Sequence, residues 1–176
     1  MPVSAPLPSL TLVLGGQRSG KSAFAEGLIG PDRGAVYLAT CRIEASDAAM
    51  AARIRDHQNR RGDWATVEEP VHLPAALLAA NAPDRPVLVD SLGMWVTNLL
   101  LDGCDIETET TALISAFGEM QAPVVMVSEE TGLGVIPVND LAARFVDALG
   151  TLNQQVARMA DRVVLVTAGI GQTIKG

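Results

Sequence analysis

Residues 15–22 have the types and spacing of a phosphate-binding loop. They read Gly-Gly-Gln-Arg-Ser-Gly-Lys-Ser and fit the pattern Gly-x-x-x-x-Gly-Lys-Ser. The glycines let successive backbone N–H groups point at one phosphate, and the N-terminus of a following helix adds partial positive charge. Lys21 would reach the β- and γ-phosphates, and the Ser22 hydroxyl would ligate Mg²⁺. The predicted nucleotide contacts in this loop are Gly15, Gly16, Gln17, Arg18, Ser19, Gly20, Lys21 and Ser22.

The alternative is a glycine-rich turn that matches the pattern by chance. The flanking residues argue against it, because an apolar strand-like run, 10–14, precedes the loop and a helix-like segment, 23–29, follows it. A strand-loop-helix unit is the context that the motif requires. The loop therefore predicts binding of a nucleoside triphosphate.

Asp90 is a second candidate ligand for the metal. It ends the apolar run 86–90, which has the composition of a buried strand. In P-loop enzymes a carboxylate at a strand end holds the metal directly or through water. A strand-end aspartate can instead cap the following helix, but the phosphate-binding loop favours the metal role.

His57 lies in a segment, 46–60, with the composition of a helix. Helical spacing places it on the same face as Met50 and Ile54, with four flanking arginines at 53, 55, 60 and 61. A neutral imidazole among guanidinium groups suits attack on phosphorus, because those groups neutralise the incoming phosphates. Taken alone, these residues favour a partly buried structural histidine over a nucleophile. His72 lacks such neighbours and is interpreted as structural.

Glu68 and Glu69 form an acidic pair after a β-like segment, 64–68. Such a pair can accept hydrogen bonds from a guanine edge, hold a metal, or face water. Solvation is the usual role of adjacent carboxylates on a surface.

Five apolar strands separated by helices are expected to position these groups. The strand candidates are 10–14, 35–40, 86–90, 123–128 and 162–167, with 64–68 as a short edge strand. The helix candidates are 23–29, 46–60, a short helix from Pro74, 94–101, 111–120 and 140–160, and the acidic segment 103–111 is predicted to be surface. Continuous apolar strands of this kind form parallel sheets covered on both faces. The predicted fold is α/β, a P-loop NTPase-like (RecA-like) single domain.

The boundaries of that domain follow from composition. Residues 1–9 carry three prolines and are expected to be a flexible lead-in, so the domain would span 10–176. The loop 15–22, Thr40, Asp90 and a glycine-containing loop, 132–139, all follow strand candidates. Because ligands bind at the carboxyl ends of parallel strands, these groups are expected to share one edge of the sheet.

The overall composition excludes several classes of protein. Apolar residues make up 48% of the 176 residues and the formal charge is −7, which suits a globular core and argues against a general nucleic-acid surface. No apolar run is long enough for a membrane span, and the N-terminus lacks the features of a signal peptide. A cytoplasmic protein is expected. Cys41 and Cys104 lack metal-site spacing and are predicted to be reduced thiols.

The order of motifs resembles the bifunctional adenosylcobinamide kinase / adenosylcobinamide-phosphate guanylyltransferase family of cobalamin biosynthesis. The motifs that carry the resemblance are Gly-Gly-x-Arg-Ser-Gly-Lys-Ser at 15–22, Tyr37-Leu38-Ala39-Thr40, Met50-x-x-Arg53-Ile54-x-x-His57, Trp64-x-Thr66-x-Glu68-Glu69-Pro70, Val89-Asp90-Ser91-Leu92-x-x-Trp95-x-x-Asn98, and Glu130-x-Gly132-Leu133-Gly134-x-x-Pro137-x-Asn139. The resemblance extends from about residue 10 to residue 175. It is carried most specifically by Arg-Ser inside the loop and by Arg-Ile-x-x-His downstream.

The resemblance implies an enzyme, typically a homotrimer, with two activities. It would phosphorylate the aminopropanol hydroxyl of adenosylcobinamide with ATP or GTP. It would then transfer GMP from GTP to that phosphate, releasing pyrophosphate, through a guanylylated histidine that matches His57. The implied nucleotide contacts outside the loop are Thr40, Cys41, Arg42, Gln58, Asn59, Arg60, Arg61, Glu68 and Asp90, with Mg²⁺ at Ser22 and Asp90.

Several positions depart from the family pattern. Among them, Glu129 stands where the pattern has Asn, and Ala143 and Val146 stand where it has Arg. Gly62 stands where it has Pro, and the stretch between His57 and Trp64 is one residue shorter. Two alternatives to the bifunctional enzyme are a P-loop kinase of another small metabolite, with His57 structural, and a non-catalytic nucleotide-binding regulator.

Overall fold

A seven-stranded sheet lies at the centre of the computed structural model, which describes residues 6–42, 63–135 and 137–176. Its strands are β1 (Leu10–Gly15), β2 (Val36–Ala39), β3 (Ala65–Glu68), β4 (Val87–Asp90), β5 (Val124–Glu129), β6 (Arg162–Thr167) and β7 (Ile170–Lys175). Their order across the sheet is β3-β2-β4-β5-β1-β6-β7. Every neighbouring pair is parallel except β6 and β7. The predicted, mostly parallel α/β sheet is confirmed.

Five α-helices accompany the sheet within the described residues. They are α1 (Lys21–Ile29), α2 (Leu73–Ala79), α3 (Leu92–Leu101), α4 (Ile106–Glu119) and α5 (Asp140–Met159). A short 3-10 turn, Pro31–Arg33, follows α1. The predicted helix 46–60 lies outside the described residues.

Side-chain caps explain why α3 and α4 begin earlier than the sequence predicts. The Ser91 side chain accepts a hydrogen bond from the Met94 N–H and starts α3. The Asp105 side chain accepts from the Thr108 N–H and starts α4, so most of the acidic segment 103–111 is the first part of a helix. Glu107 and Glu109 in that first turn suit the positive end of the helix dipole.

Both faces of the sheet are buried. On one face, Leu12, Val89 and Met126 pack with α2, α3, α4 and α5. On the other face, Val13 and Leu88 pack with α1. Alternate residues of each strand therefore enter opposite cores, which explains why the strands are continuously apolar. The prediction of helices on both faces is confirmed.

The last strand, β7, was not predicted. It forms an antiparallel hairpin with β6 through Ala168 and Gly169, whose φ angles are 52° and 80°. Two successive positive φ values fit the two-residue hairpin turns that match strand twist. Because β7 lies at the sheet edge and its side chains are mostly exposed, its sequence lacks the apolar run of a buried strand.

Residues just before β1 also contact the folded core. Leu7 packs against the cluster beneath α1, and the Ser9 carbonyl accepts a hydrogen bond from the Val124 N–H. The last residues of the predicted lead-in 1–9 thus contact the core. At the opposite edge, the segment 64–68 forms β3, as predicted for an edge strand. None of the helices in the described ranges is long and apolar enough to cross a membrane.

Candidate functional site

The predicted phosphate-binding loop connects β1 to α1 in the structure. β1 ends at Gly15 and α1 begins at Lys21, which gives the strand-loop-helix unit that the motif requires. Within the turn, the Ser19 N–H donates to the Gly16 carbonyl at 3.2 Å. Gly20 has φ 90°, and a Cβ there would lie 3.1 Å from the Gly169 Cα atom. A residue without a side chain is therefore required immediately before Lys21.

Gly15 is required for a different reason, which is close packing. A Cβ at this position would lie 2.4 Å from the Ser19 Oγ atom and 2.7 Å from the Val166 carbonyl oxygen. The end of β1 is therefore pressed against both its own loop and the neighbouring β6 strand. This packing fixes the path of the backbone as it enters the loop.

Lys21 points into the loop and is almost entirely buried. Only 9% of the residue is exposed, and its Nζ atom lies 3.2 Å from the Glu129 Oε1 atom. The same Nζ donates weakly to the Gly16 carbonyl at 3.5 Å. The ammonium group is thus held over the loop, where β- and γ-phosphates are bound in P-loop proteins.

Glu129 is a site residue that the sequence analysis did not assign. It ends β5, which lies between β1 and β4. Its signal in the sequence is a carboxylate at the end of an apolar strand, because ligands bind at the carboxyl ends of parallel strands. Strand order was needed to see this, because Glu129 is far from Lys21 in the sequence.

Asp90 lies at the carboxyl end of β4, and its role as a helix cap is excluded. The cap of α3 is the neighbouring Ser91, whereas the Asp90 Oδ2 atom accepts a hydrogen bond from the Tyr37 hydroxyl at 3.0 Å. The Asp90 side chain is only partly buried and keeps a second carboxylate oxygen. Asp90 therefore remains suited to bind a metal or its water.

Thr40 forms a buried link between the ends of β2 and β4. Its Oγ1 atom donates to the Ser91 carbonyl at 2.7 Å and accepts from the Ser91 N–H at 2.8 Å. The Asn98 side chain donates to the Thr40 carbonyl at 2.7 Å. Thr40 is fully buried, so its hydroxyl fixes the segment that carries Asp90.

The two residues after Thr40 are more exposed. The Arg42 guanidinium forms an ion pair with Asp102, the residue at the end of α3. The hydrogen bond from Arg42 holds the pKa of Asp102 below its usual value, and the reciprocal bond raises the pKa of Arg42. Cys41 and Cys104 are both thiols, as predicted. Arg42 must leave Asp102, or share it, to contact a nucleotide.

The acidic pair divides into two roles. Glu68 ends β3 and is exposed. Glu69 instead accepts hydrogen bonds at Oε1 from the Val71 N–H at 2.9 Å and the His72 N–H at 2.7 Å. Both N–H groups lie just before α2, so Glu69 fixes the backbone at the start of that helix. His72 is the residue preceding the helix, which fits its structural interpretation.

Glu69 is expected to give a pH-dependent contribution to stability. Partial burial raises its pKa, but the hydrogen bonds from Val71 and His72 outweigh that effect, and the net pKa lies below its ordinary value of 4.5. A lowered folded-state pKa stabilises the fold above pH 4.5, and this contribution is lost as the pH falls through the folded-state pKa. Glu69→Gln should lower the free energy of unfolding at pH 7 by about 0.5–1 kcal/mol.

Urea unfolding at pH 7 and pH 3 tests that expectation. The difference between the parent and Glu69→Gln should be smaller at pH 3, because that pH lies below the ordinary carboxyl pKa of 4.5 and the contribution is lost as the pH falls through the folded-state pKa. Glu68→Gln, which changes the adjacent exposed carboxylate, is the matched control and should show little difference at either pH. A Glu69→Gln effect that is equal at both pH values would contradict the assignment.

A magnesium ion suits the groups gathered at this edge. The Ser22 hydroxyl and the Asp90 carboxylate are hard oxygen donors, as Mg²⁺ prefers. Within residues 6–42, 63–135 and 137–176 no cluster of three or more His, Cys, Asp or Glu side chains is placed to hold a metal. In P-loop proteins one hydroxyl, one carboxylate and the phosphates share the ion.

Other predicted site residues lie outside the described part of the chain. They are His57, Gln58, Asn59, Arg60 and Arg61. The structure thus brings together residues 15–22, Thr40 and Asp90 at the carboxyl edge of the sheet, with Cys41 and Arg42 directly after Thr40 and Glu68 at the end of β3. The loop after β5 follows the same edge, and its Leu133 and Val135 side chains are 87% and 94% exposed.

Comparison with solved structures identifies the fold. The chain superposes on the P4 protein of bacteriophage phi6 in complex with ADP with a TM-score of 0.51 and 17% identity, over 96% of this chain and 60% of that one. It superposes on an ATPase from the type III secretion system of pathogenic bacteria with a TM-score of 0.54 and 11% identity, over 95% of this chain and 57% of that one. Both proteins are longer than this chain, and the likeness confirms the P-loop NTPase fold.

Sequence relatives identify the family. The chain is 43% identical to the bifunctional adenosylcobalamin biosynthesis protein CobP of Pseudomonas aeruginosa, over 94% of this chain and 96% of the relative. It is 42% identical to the bifunctional adenosylcobalamin biosynthesis protein CobU of Escherichia coli, over 94% of this chain and 99% of the relative. The family model for cobinamide kinase / cobinamide phosphate guanyltransferase matches residues 11–174. With the phosphate-binding loop and Asp90 at one sheet edge, these matches show that the chain belongs to the cobinamide kinase / cobinamide phosphate guanyltransferase family.

Proposed function

We propose that this protein phosphorylates adenosylcobinamide and then transfers GMP from GTP to the resulting adenosylcobinamide phosphate. The observation that carries the proposal is the position of Lys21 over an intact phosphate-binding loop, in a chain that matches the family from residue 11 to residue 174. The end product would be adenosylcobinamide-GDP. Residues 10–176 would form the catalytic domain, preceded by the lead-in, and the enzyme would work in the cytoplasm as a homotrimer.

The kinase step uses the loop to hold the phosphates. The aminopropanol hydroxyl oxygen attacks the γ-phosphorus of ATP or GTP and loses its proton to water. The bond to the β–γ bridging oxygen breaks, and the nucleoside diphosphate leaves with the electron pair. The loop N–H groups and Lys21 bind the charge that moves onto the β-phosphate. Ser22 and Asp90 would hold Mg²⁺, which supplies further charge neutralisation when it is bound.

The guanylyl transfer step needs a nucleophile, and His57 is the proposed one. An imidazole nitrogen attacks the α-phosphorus of GTP and pyrophosphate leaves, which yields a phosphoramidate. An oxygen of adenosylcobinamide phosphate then attacks the same phosphorus and releases the histidine. Gln58, Asn59, Arg60 and Arg61 are proposed to bind the phosphates beside it, and Thr40, Cys41, Arg42 and Glu68 are proposed as further nucleotide contacts.

Isotope transfer tests both steps in one preparation. With γ-labelled GTP and adenosylcobinamide, the label should appear in a corrinoid monophosphate. With α-labelled GTP, it should appear in a corrinoid nucleotide, and pyrophosphate should be released in equal amount. Transfer of the γ-label alone would favour a kinase of this fold without guanylyl transfer. Nucleotide binding without either transfer, with any corrinoid, would favour a regulator.

A further inference from the structure

The carboxylate of Glu129 directly faces the lysine of the phosphate-binding loop. Its Oε1 atom lies 3.2 Å from the Lys21 Nζ atom, and the two side chains are 26% and 11% exposed, respectively. Because water has little access to the two charged groups, their attraction is screened less than that of a surface ion pair. Any ligand that binds Lys21 must therefore contend with this negative charge.

The neighbouring elements are shaped to accept the Glu129 side chain. The Ser91 Oγ atom lies 3.2 Å from each carboxylate oxygen and donates to them. A Cβ at position 93 would lie 1.9 Å from the Glu129 Oε2 atom, so Gly93 leaves the space that this side chain fills. The carboxylate is thus seated against the first turn of α3.

The backbone of Glu129 is also fixed from two sides. Its carbonyl accepts a hydrogen bond from the Asn153 side chain of α5 at 3.0 Å, and the next residue, Glu130, donates its N–H to the Gly15 carbonyl at 3.1 Å. Asn153 is itself held by the Ser128 hydroxyl, at 2.6 Å from its Oδ1 atom. Because α3, α5 and β1 all hold this residue, its charge is a fixed feature of the phosphate site.

A fixed charge at this place acts differently on two forms of the same nucleotide. A phosphate oxygen in contact with Lys21 would lie within about 6 Å of the Glu129 carboxylate, since each contact spans about 3 Å. The metal-free triphosphate has its full negative charge near the Glu129 carboxylate, which repels it. In the magnesium complex the bound cation cancels part of that charge, so the repulsion is smaller.

We propose that Glu129 is a specificity-determining residue that makes the phosphate site select the Mg²⁺ complex of the nucleotide over the metal-free form. The Glu129 carboxylate pairs with Lys21 before the nucleotide binds. Lys21 then contacts the phosphates of the nucleotide–Mg²⁺ complex. The inference rests on the proposed function only in assigning a nucleoside triphosphate to residues 15–22.

Equilibrium binding of β,γ-imido-ATP, which resists phosphoryl transfer, tests the inference. The dissociation constant is measured in excess MgCl₂ and in excess EDTA, and the ratio of the two values is the selectivity. Glu129→Gln should lower this ratio about tenfold, which corresponds to ~1.4 kcal/mol, mainly by tightening the binding of the metal-free nucleotide. Glu129→Asn provides a second neutral variant in case the first fails to fold.

Glu130→Gln is the matched control, because it removes an adjacent carboxylate that accepts from the Gly132 N–H and does not pair with Lys21. Its selectivity should stay within about twofold of the parent. Equal selectivity in the parent and in Glu129→Gln would overturn the inference while leaving the proposed function intact. A parent protein that binds no nucleotide in MgCl₂ would overturn both.

Discussion

Replacing Lys21 by alanine is expected to slow both phosphoryl transfer to adenosylcobinamide and guanylyl transfer from GTP. Lys21 is the buried cation over the phosphate-binding loop, and both reactions place negative charge on a leaving phosphate group. Loss of one such preorganised charge costs on the order of 10²–10³-fold in rate. Steady-state assays with γ-labelled and α-labelled GTP measure the two losses separately.

Lys175→Ala is the matched control for that variant, because Lys175 is the other lysine of the sequence. Its Nζ atom donates to the Ala157 and Arg158 carbonyls near the end of α5, at 2.9 Å each. Its loss should lower stability slightly, by about 0.3–1 kcal/mol, and leave both rates within about twofold of the parent. Rates equal to those of the parent in a folded Lys21→Ala protein would contradict catalysis at the loop.

His57→Ala is expected to eliminate the covalent GMP-protein adduct and to reduce guanylyl transfer by on the order of 10³-fold or more, since a nucleophile has no substitute in its own reaction. Phosphorylation of adenosylcobinamide should continue, because that step uses the loop and not the histidine. Incubation with α-labelled GTP, followed by denaturing gel electrophoresis, detects the adduct. A phosphoramidate label should be acid-labile and stable to base.

His72→Ala provides the comparison, since His72 is the other histidine of the sequence and lies at the start of α2. It should carry the label as the parent does. Label that remains in His57→Ala would exclude His57 as the nucleophile. Loss of kinase activity together with the label would indicate that the substitution disturbs the whole site.

Much of the site was predictable from short stretches of sequence. The loop 15–22 fits a specific phosphate-binding motif and lies between a strand-like and a helix-like segment. Asp90 ends an apolar run with the composition of a buried strand. The sequence leaves the role of Asp90 open between helix cap and metal ligand, and the hydrogen bond that the Met94 N–H donates to the Ser91 side chain removes the first alternative. The choice between the two roles depends on whether the Asp90 or the Ser91 side chain turns back toward the helix. Composition does not determine that direction.

Elements at the margins were harder to predict. The side chains of β7 are mostly exposed. The strand is held in the sheet by pairing with β6 and by the turn at Ala168 and Gly169. The start of α4 was missed because Asp105 acts as a cap through its side chain, whereas the acidic residues after it resemble an irregular surface segment. The start of α4 thus depends on a side-chain hydrogen bond, and β7 depends on its pairing with β6. Neither is indicated by the pattern of apolar residues.

The fold class, the phosphate-binding loop and the family can be inferred from the sequence alone, because each depends on a local run of residues or on the order of motifs along the chain. The position of β5 between β1 and β4, which brings Glu129 to Lys21, is seen only in the folded chain. The pairing of β1 with β5 joins residues more than a hundred positions apart, such as Leu10 and Val124. For that reason the charge at the centre of the phosphate site is visible only in three dimensions.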